Sequence, residues 1–290
     1  MDCAVLRVRM FGDWDNDSTS LIQRLRNQTP QMVENQYRNL EFVDDDSYDH
    51  AILFNYSNET LLTSPEKNIR LILEPPEYAG LMYRNHWHCE ESNAAKVYSF
   101  AYDPPYLPAY GIGFSTVPVQ HYPPIDSRPF QICMIVSSKT ITEYHRIRQL
   151  VKDQLIVSDI DIHIYGRGIE GFDKRIKGEI PNGGKQFVLS QYKYCVDFEN
   201  SSFNAVTDKY FDPIVCGTVP VTNSSILSTI APNSFEFVSF EQDPATIAEQ
   251  IGKIAKVNDF TKYDLTNAKN EFLYGKLNLA EWIYQRIEEL

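Results

Sequence analysis

The chain has 290 residues, of which 43% are hydrophobic and 23% charged, and its formal net charge is −12. This length suits two domains of ordinary size, each able to bury a core of its own. The negative charge argues against nucleic acid or an anionic membrane surface as the main partner, but it allows a small basic pocket for a nucleotide diphosphate.

Short apolar runs separated by polar turns make up the first half. They predict a helix over 18–26, behind a Ser/Asp start signal, and strands over 5–11, 40–43, 51–54 and 70–73. Residues 75–130 are rich in proline and tyrosine, which favours long shaped loops over regular elements. Loops of this kind on a sheet scaffold are typical places for ligand recognition.

A regular alternation of strands and helices follows the polar, proline-containing linker 121–128. We predict strands over 131–136, 160–165, 193–198, 218–221 and 235–240, and helices over 140–155, 206–216 and 243–256. Strands separated by helices of this length indicate a parallel sheet of Rossmann type. We therefore divide the chain into domains 1–125 and 126–290, with C-terminal helices near 261–272 and 277–288 that are able to pack back on the first domain.

The stretch 192–221 is the most informative part of the sequence. A buried strand ends in the polar turn Glu199-Asn200-Ser201, a helix starts near Val206, and a second apolar strand follows Gly217. In open α/β sheets, ligands bind beyond the carboxyl ends of strands, where helix N-termini point at anions. Lys209, one turn into the helix, therefore suits a nucleotide phosphate.

The same stretch resembles the donor-site signature of glycosyltransferase family 10, the α-1,3/α-1,4-fucosyltransferases. That signature reads roughly Tyr-Lys-Phe-x-x-x-Phe-Glu-Asn-Ser, then Tyr-Val/Ile-Thr-Glu-Lys and Gly-Thr-Val-Pro-Val. The resemblance implies an α/β protein of GT-B type, with two Rossmann-like domains facing a cleft. It also implies an inverting glycosyltransferase that moves a sugar, with fucose from GDP-fucose favoured, to a hydroxyl of a glycan acceptor bound by the first domain. It covers 130–265 well and is thin over 1–125.

Two kinds of cation follow from the resemblance. Lys209 matches the terminal lysine of the signature and would neutralise the donor diphosphate. The family has a second phosphate-binding arginine in the first helix of the second domain. Arg148, at the expected distance before Leu155, fits that arginine best, and Arg146 is the alternative.

Three further positions are assigned to the donor pocket by the resemblance. Glu199 and Asn200 match the core of the signature, which lines the pocket in the family. Asp208 stands where the family has a glutamate that grips the sugar end of the donor. The family tyrosine before Val-Thr is replaced by Ala205, and the gap after Phe-Glu-Asn-Ser is shorter. These departures keep two alternatives open: the same fold with another nucleotide sugar, or a non-catalytic sugar-binding relative.

The general base that sugar transfer requires is assigned to Glu74. An apolar strand delivers this carboxylate to the diproline turn Pro75-Pro76, a rigid place to hold a partly desolvated acid. The segment also resembles the Glu-Ser-Pro segment of the family, whose glutamate is the proposed base. Glu77 is the alternative.

Two metal-like motifs are discounted. Asp44–Asp46 mimics the Asp-x-Asp of the other main glycosyltransferase fold, but it follows a strand among turn-forming residues and reads as a solvated acidic turn. His86 and His88 would place two ligands on one strand face, without a second pair at suitable spacing for zinc. We therefore expect no cofactor and no metal requirement.

The compartment is predicted from cysteines and hydropathy. The five cysteines are scattered and mostly in apolar contexts, so buried reduced thiols in a reducing compartment are expected. No window approaches the roughly 18–20 apolar residues that span a membrane, and residues 1–7 lack the apolar run of a signal peptide. Animal and plant fucosyltransferases usually carry a Golgi anchor. This chain instead resembles the soluble members, or a catalytic domain cut from a longer protein, and we expect it in the cytoplasm.

Overall fold

The chain divides into two compact units. The computed structural model describes residues 4–12, 17–57, 59–75, 77–78, 94–99, 107–109, 113, 118–201 and 205–290. Unit 1 comprises Met1–Pro118 with Asn270–Leu290, and unit 2 comprises Val119–Lys269. The sequence-based division at 125/126 therefore lies a few residues inside unit 2.

Unit 1 is built on a mainly parallel sheet. Its described elements are β1 (Leu6–Gly12), α1 (Ser18–Gln28), β2 (Gln36–Tyr37), β3 (Leu40–Val43), β4 (His50–Phe54), β5 (Asn68–Ile72), β6 (Lys96–Ser99) and β7 (Leu107–Pro108). The strands lie in the order β2-β3-β1-β4-β5-β6-β7, and among them only β2 and β3 pair antiparallel. Without the short β2, this is the flavodoxin-like order of a doubly wound α/β sheet.

Unit 2 has a Rossmann sheet. Its strands are β8 (Phe130–Ile135), β9 (Ile162–Tyr165), β10 (Ile176–Gly178), β11 (Tyr192–Val196), β12 (Val219–Thr222) and β13 (Glu236–Phe237). Its helices are α2 (Glu143–Val157), α3 (Lys185–Leu189), α4 (Asp208–Val215), α5 (Leu227–Ile230) and α6 (Pro244–Ile254). All described pairs are parallel, in the order β10-β9-β8-β11-β12-β13. Counted within the unit this is 3-2-1-4-5-6, whose switch point lies between β8 and β11.

The last helix belongs to unit 1. Helix α7 (Leu265–Tyr274) contains the division between the units, and α8 (Leu279–Glu288) follows it. Trp282 and Ile283 of α8 lie in the same buried cluster as Met10 of β1 and Leu21 of α1. Asn278 caps α8, because its Oδ1 accepts from the backbone N–H of Ala280 at 3.0 Å. Burial of one apolar face therefore fixes α8 on the first sheet.

The sequence locates the long elements and misses the short ones. Helix α2 begins at Glu143 rather than at 140, because the Thr142 hydroxyl accepts from the backbone N–H of His145 at 3.2 Å and caps the helix there. The strand expected over 235–240 is reduced to Glu236–Phe237. Elements β2, β7, β10, α3 and α5 were not predicted, since they have two to five residues and show no clear periodic pattern, and β6 was not predicted because it lies in the stretch 75–130 that was expected to form loops. Within the described residues, no helix combines the length and the apolar composition needed to cross a membrane.

Candidate functional site

A buried arginine joins the two strand ends at the switch point of unit 2. Arg148 lies on the second turn of α2, which follows β8, and it is 4% exposed. Its Nη1 donates to the backbone oxygen of Phe198, just past β11, at 3.0 Å. The region in which Rossmann sheets bind ligands is therefore lined by a guanidinium group.

Arg148 is buried because it lies on the core-facing stripe of α2. That stripe also holds His145, Val151 and Leu155. Burial lowers the pKa of Arg148, and the carboxylates of Asp197 and Glu199 act in the opposite direction. Its Nε is buried without a hydrogen-bond partner among the described residues. A buried charged donor left without an acceptor is costly, so this atom is suited to an anionic ligand.

Arg146, the alternative arginine, lies on the other side of α2. Its side chain is exposed, whereas that of Arg148 is buried. The two residues are two positions apart, which corresponds to about 200° of rotation, so they lie on opposite faces of the helix. The structure thus brings Arg148, and not Arg146, to the strand ends.

Glu199 anchors the N-terminus of α4. Its Oε1 accepts from the backbone N–H of Thr207 at 3.0 Å and from the Thr207 hydroxyl at 2.9 Å. Its Oε2 lies 3.1 Å from Nζ of Lys209. Thr207 is the N-cap of α4 and its hydroxyl accepts from the backbone N–H of Lys209 at 3.3 Å. The Glu199 carboxylate is therefore used to hold the helix terminus and the lysine in place.

Lys209 keeps its charge although it is largely buried. Burial lowers its pKa, but Glu199, Asp208 and Asp197 outweigh burial and the pKa is raised. The ammonium group lies at the N-terminus of α4, where the helix dipole favours anions. Lys209 and this terminus together have the chemistry of a phosphate site.

A second ion-pair chain lies beside the first. Lys185 of α3 has its Nζ 2.9 Å from Oδ2 of Asp208 and 2.6 Å from Oδ2 of Asp212. Burial raises the pKa of Asp208, but Lys185 and Lys209 outweigh burial, so the pKa is lowered and the carboxylate stays charged. Sequence reasoning missed Lys185, because α3 has only five residues. Its one sequence signal is its place directly before the strand that carries the signature.

Asn200 and Asp197 complete the edge of the sheet. The backbone oxygen of Asn200 accepts from the Thr142 hydroxyl at 2.8 Å, which ties the polar turn to the N-terminus of α2. Asp197 is buried, and burial raises its pKa to about 7 against the opposing effect of Lys185 and Lys209. All these groups lie in unit 2.

Glu74 lies at the carboxyl edge of the sheet of unit 1. It follows β5, its side chain is half-buried, and its backbone N–H donates to Oδ1 of Asn55 at 3.3 Å. Asn55 follows β4 with a φ of 60°, a conformation that asparagine tolerates better than most residues. Glu77, the alternative base, is exposed, and Pro76 lies outside the described residues.

The acidic turn Asp44–Asp46 is held by arginines of β1. Asp45 lies 3.1 Å from Arg7 and Asp46 lies 2.6 Å from Arg9. The turn was predicted to be solvated, and its carboxylates are largely exposed, but those of Asp45 and Asp46 also form ion pairs with β1. No group of three His, Cys, Asp or Glu side chains within the described ranges is arranged to hold a metal ion. His86 and His88 lie outside those ranges.

The comparisons with known proteins identify unit 2. Residues 125–264 match the family model described as "Glycosyltransferase family 10 (fucosyltransferase) C-term". Among curated proteins, none matches this chain.

Solved glycosyltransferases share the fold at low sequence identity. An alpha-glucosyltransferase in complex with UDP and a 13-mer DNA is 12% identical with a TM-score of 0.61, over 98% of this chain and 100% of that one. AviGT4, a glycosyltransferase involved in avilamycin A biosynthesis, is 11% identical with a TM-score of 0.55, over 98% and 97%. An alpha1,3-fucosyltransferase is 15% identical with a TM-score of 0.50, over 94% and 81%.

The chain thus has an α/β fold of GT-B type, as the resemblance implied. The match of residues 125–264 to the C-terminal domain of family 10, the fucosyltransferases, supports a glycosyltransferase enzyme.

Proposed function

We propose that the chain transfers fucose from GDP-fucose to a hydroxyl of a glycan acceptor, with inversion at the sugar carbon. The observation that carries the proposal is the pair of cations at the switch point of unit 2. Arg148 offers a buried donor that has no acceptor within the described part of the chain, and Lys209 is held charged at the N-terminus of α4. Both suit the diphosphate of a nucleotide sugar.

In the proposed reaction, different residues stabilise the charge of the leaving diphosphate and take the proton of the acceptor hydroxyl. The acceptor oxygen forms a bond to the sugar carbon while the bond from that carbon to the diphosphate breaks. Arg148 and Lys209 stabilise the negative charge that develops on the leaving diphosphate, so no divalent metal is required. Glu74 takes the proton from the acceptor hydroxyl as general base.

A second candidate is the same reaction with another nucleotide sugar. Two differences from the family signature favour it: Asp208 replaces a glutamate, and the buried Ala205 replaces a tyrosine. Both lie at the start of α4, where the donor is expected. The alpha-glucosyltransferase with a related fold was solved with UDP, which makes uridine donors the natural comparison.

Ligand-induced stabilisation tests the donor. GDP, UDP, GDP-fucose and UDP-glucose are each added to the purified chain and to Lys209→Ala, and the Tm is measured. A ligand at about 100 times its Kd stabilises the folded state by about 2.7 kcal/mol, so GDP-fucose should raise the Tm of the wild type and leave the variant nearly unchanged. A shift with uridine ligands alone would replace the first candidate by the second. No shift with any nucleotide would contradict both.

Transfer of labelled fucose tests the acceptor. A panel of glycans should contain an acceptor, whereas a DNA duplex should accept nothing, because the net charge of −12 opposes DNA binding. Incorporation into DNA would overturn the choice of a glycan.

A further inference from the structure

The ion-pair chain of Asp208, Lys185 and Asp212 becomes progressively more buried. The side chain of Asp208 is 43% exposed, that of Lys185 is 20% exposed, and that of Asp212 is fully buried. Asp208 is therefore the member that faces solvent at the start of α4. Lys185 lies behind it and is fixed in turn by a carboxylate one turn further along the same helix.

The next residue of α4, Lys209, is held in a similar way. Lys209 is also held from the buried side by a counter-ion, Glu199, whose side chain is 2% exposed. The first two residues of α4 thus present a carboxylate and an ammonium group side by side, each fixed by an opposite charge from another element. An ammonium group suits a phosphate, and a carboxylate suits a hydroxyl that donates a hydrogen bond.

We propose that Lys185 is a positioning residue, which with Asp212 fixes the carboxylate of Asp208 to accept a hydrogen bond from a hydroxyl of the donor. This inference rests on the proposed function for the identity of the donor. Aspartate is one methylene shorter than the glutamate of the signature and has fewer orientations of its own. The contact between Lys185 and Oδ2 selects one of them, so the hydroxyl meets an oriented, charged acceptor.

The alternative is a purely structural role for Lys185. Breaking a buried pair by removing one partner leaves an uncompensated charge and is strongly destabilising, so Lys185→Met alone is a poor test. The double variant Lys185→Met with Asp212→Asn removes both charges and keeps similar volumes. Lys185→Arg keeps the positive charge and should behave like the wild type. Lys253→Met, which replaces an exposed lysine of α6, is the control.

The first measurement does not depend on the donor. The pKa of the Asp208 carboxyl is followed by 13C NMR in the wild type and in the double variant. Lys185 and Lys209 face Asp208 with positive charge, and Asp197 and Asp212 act with negative charge. Loss of Lys185 should raise the pKa of Asp208 clearly, and Lys185→Arg should restore it. An unchanged pKa would overturn the proposal whatever the chain binds.

The second measurement separates the sugar end from the nucleotide. Affinities for GDP and GDP-fucose are determined by calorimetry above and below the shifted pKa. The double variant should lose about tenfold in affinity for GDP-fucose, the equivalent of a weakened hydrogen bond to a charged group, and little for GDP. Equal losses for both ligands would show that Lys185 supports the fold only. Absence of GDP-fucose binding by the wild type would refute the proposed donor, and the NMR titration would still decide whether Lys185 positions Asp208.

Discussion

The carboxyl edges of the two sheets hold their charged side chains in different ways. In unit 1, Asp45 and Asp46 follow β3 and pair with arginines of β1, with carboxylate side chains 56% and 78% exposed. In unit 2, Glu199 and Lys209 pair at a similar distance, but both are largely buried. Exposed pairs contribute about 0–1 kcal/mol, whereas buried pairs bear a desolvation cost and persist only when every group is well partnered. Burial of charge therefore distinguishes the proposed donor site in unit 2 from the acidic turn.

Glu74 offers the strongest test of what the edge of unit 1 contributes. Glu74→Gln should reduce turnover by about 10²–10⁴, because an amide cannot accept the proton of the acceptor hydroxyl at neutral pH. Affinity for the donor should change little. Steady-state kinetics with varied donor and acceptor measure both effects.

Glu77→Gln is the matched control for Glu74. It changes an exposed carboxylate three positions along the chain and should leave turnover intact. If instead donor affinity falls in parallel with turnover in Glu74→Gln, Glu74 belongs to the donor pocket. The general base must then be sought at Glu77 or elsewhere.

Lys209 tests the buried edge of unit 2. Lys209→Ala should reduce transfer by about 10²–10³ while the protein stays folded, because one electrostatic contact to the leaving group is lost. Lys253→Ala removes an exposed lysine of α6 and should be neutral. Transfer rates of both variants measure the effect on catalysis, and circular dichroism spectra show whether each variant is folded. A folded Lys209→Ala protein with near wild-type rates would refute the phosphate site.

The difference between Arg148 and Arg146 shows how far sequence alone can lead. The resemblance placed a phosphate arginine in the first helix of the second domain and left two candidates. The spacing of Arg148 with Val151 and Leu155, one and two turns along the same face, was visible in the sequence. The structure shows that this face of α2 is the buried one, because only one face of the helix packs on the sheet.

Other features of the site depend on contacts that no local pattern records. Glu199 is assigned to the donor pocket by the resemblance, and no local pattern shows that its carboxylate binds Thr207 and Lys209, several residues along the chain. Lys185 reaches Asp208 from another element. The sequence contains one indication of the ion pairs of the acidic turn, since Arg7 and Arg9 lie two residues apart and therefore on one face of β1. Their partners depend on β3 lying beside β1.

Asp197 provides a pH-dependent test of the buried edge. Its pKa is raised to about 7, mainly by burial, so the folded state retains a proton that the unfolded state loses near pH 4. The wild type should therefore lose stability relative to Asp197→Asn as pH rises from about 4 to 7, by about 2–4 kcal/mol. Urea unfolding of both proteins at pH 4.5–5 and at pH 8 measures the difference.

The stability of the wild type must be compared with that of Asp197→Asn, because His145 also changes the stability of both proteins with pH. Burial lowers its pKa to about 4, so its contribution to stability is lost as pH falls through that value and opposes the effect of Asp197. It is present in both proteins and cancels in the difference. A pH-independent difference would show that Asp197 is ionised in the folded protein at pH 5.

The smallest effect is expected at the exposed edge of unit 1. Asp44→Asn with Asp46→Asn should leave transfer close to wild type, because Arg148 and Lys209 are proposed to neutralise the diphosphate without a metal ion. The loss of the Asp46–Arg9 pair should cost at most about 1 kcal/mol in the free energy of unfolding, since the pair is exposed on the carboxylate side.

Transfer should also continue in excess chelator. Partial stimulation by Mg²⁺ or Mn²⁺ is compatible with this mechanism, because a metal ion also binds the free product diphosphate. Complete loss of activity in chelator, restored by either ion, would refute neutralisation by cationic side chains. If the double variant then lost activity as well, the acidic turn would be the metal site, and the exposed edge would be the functional one.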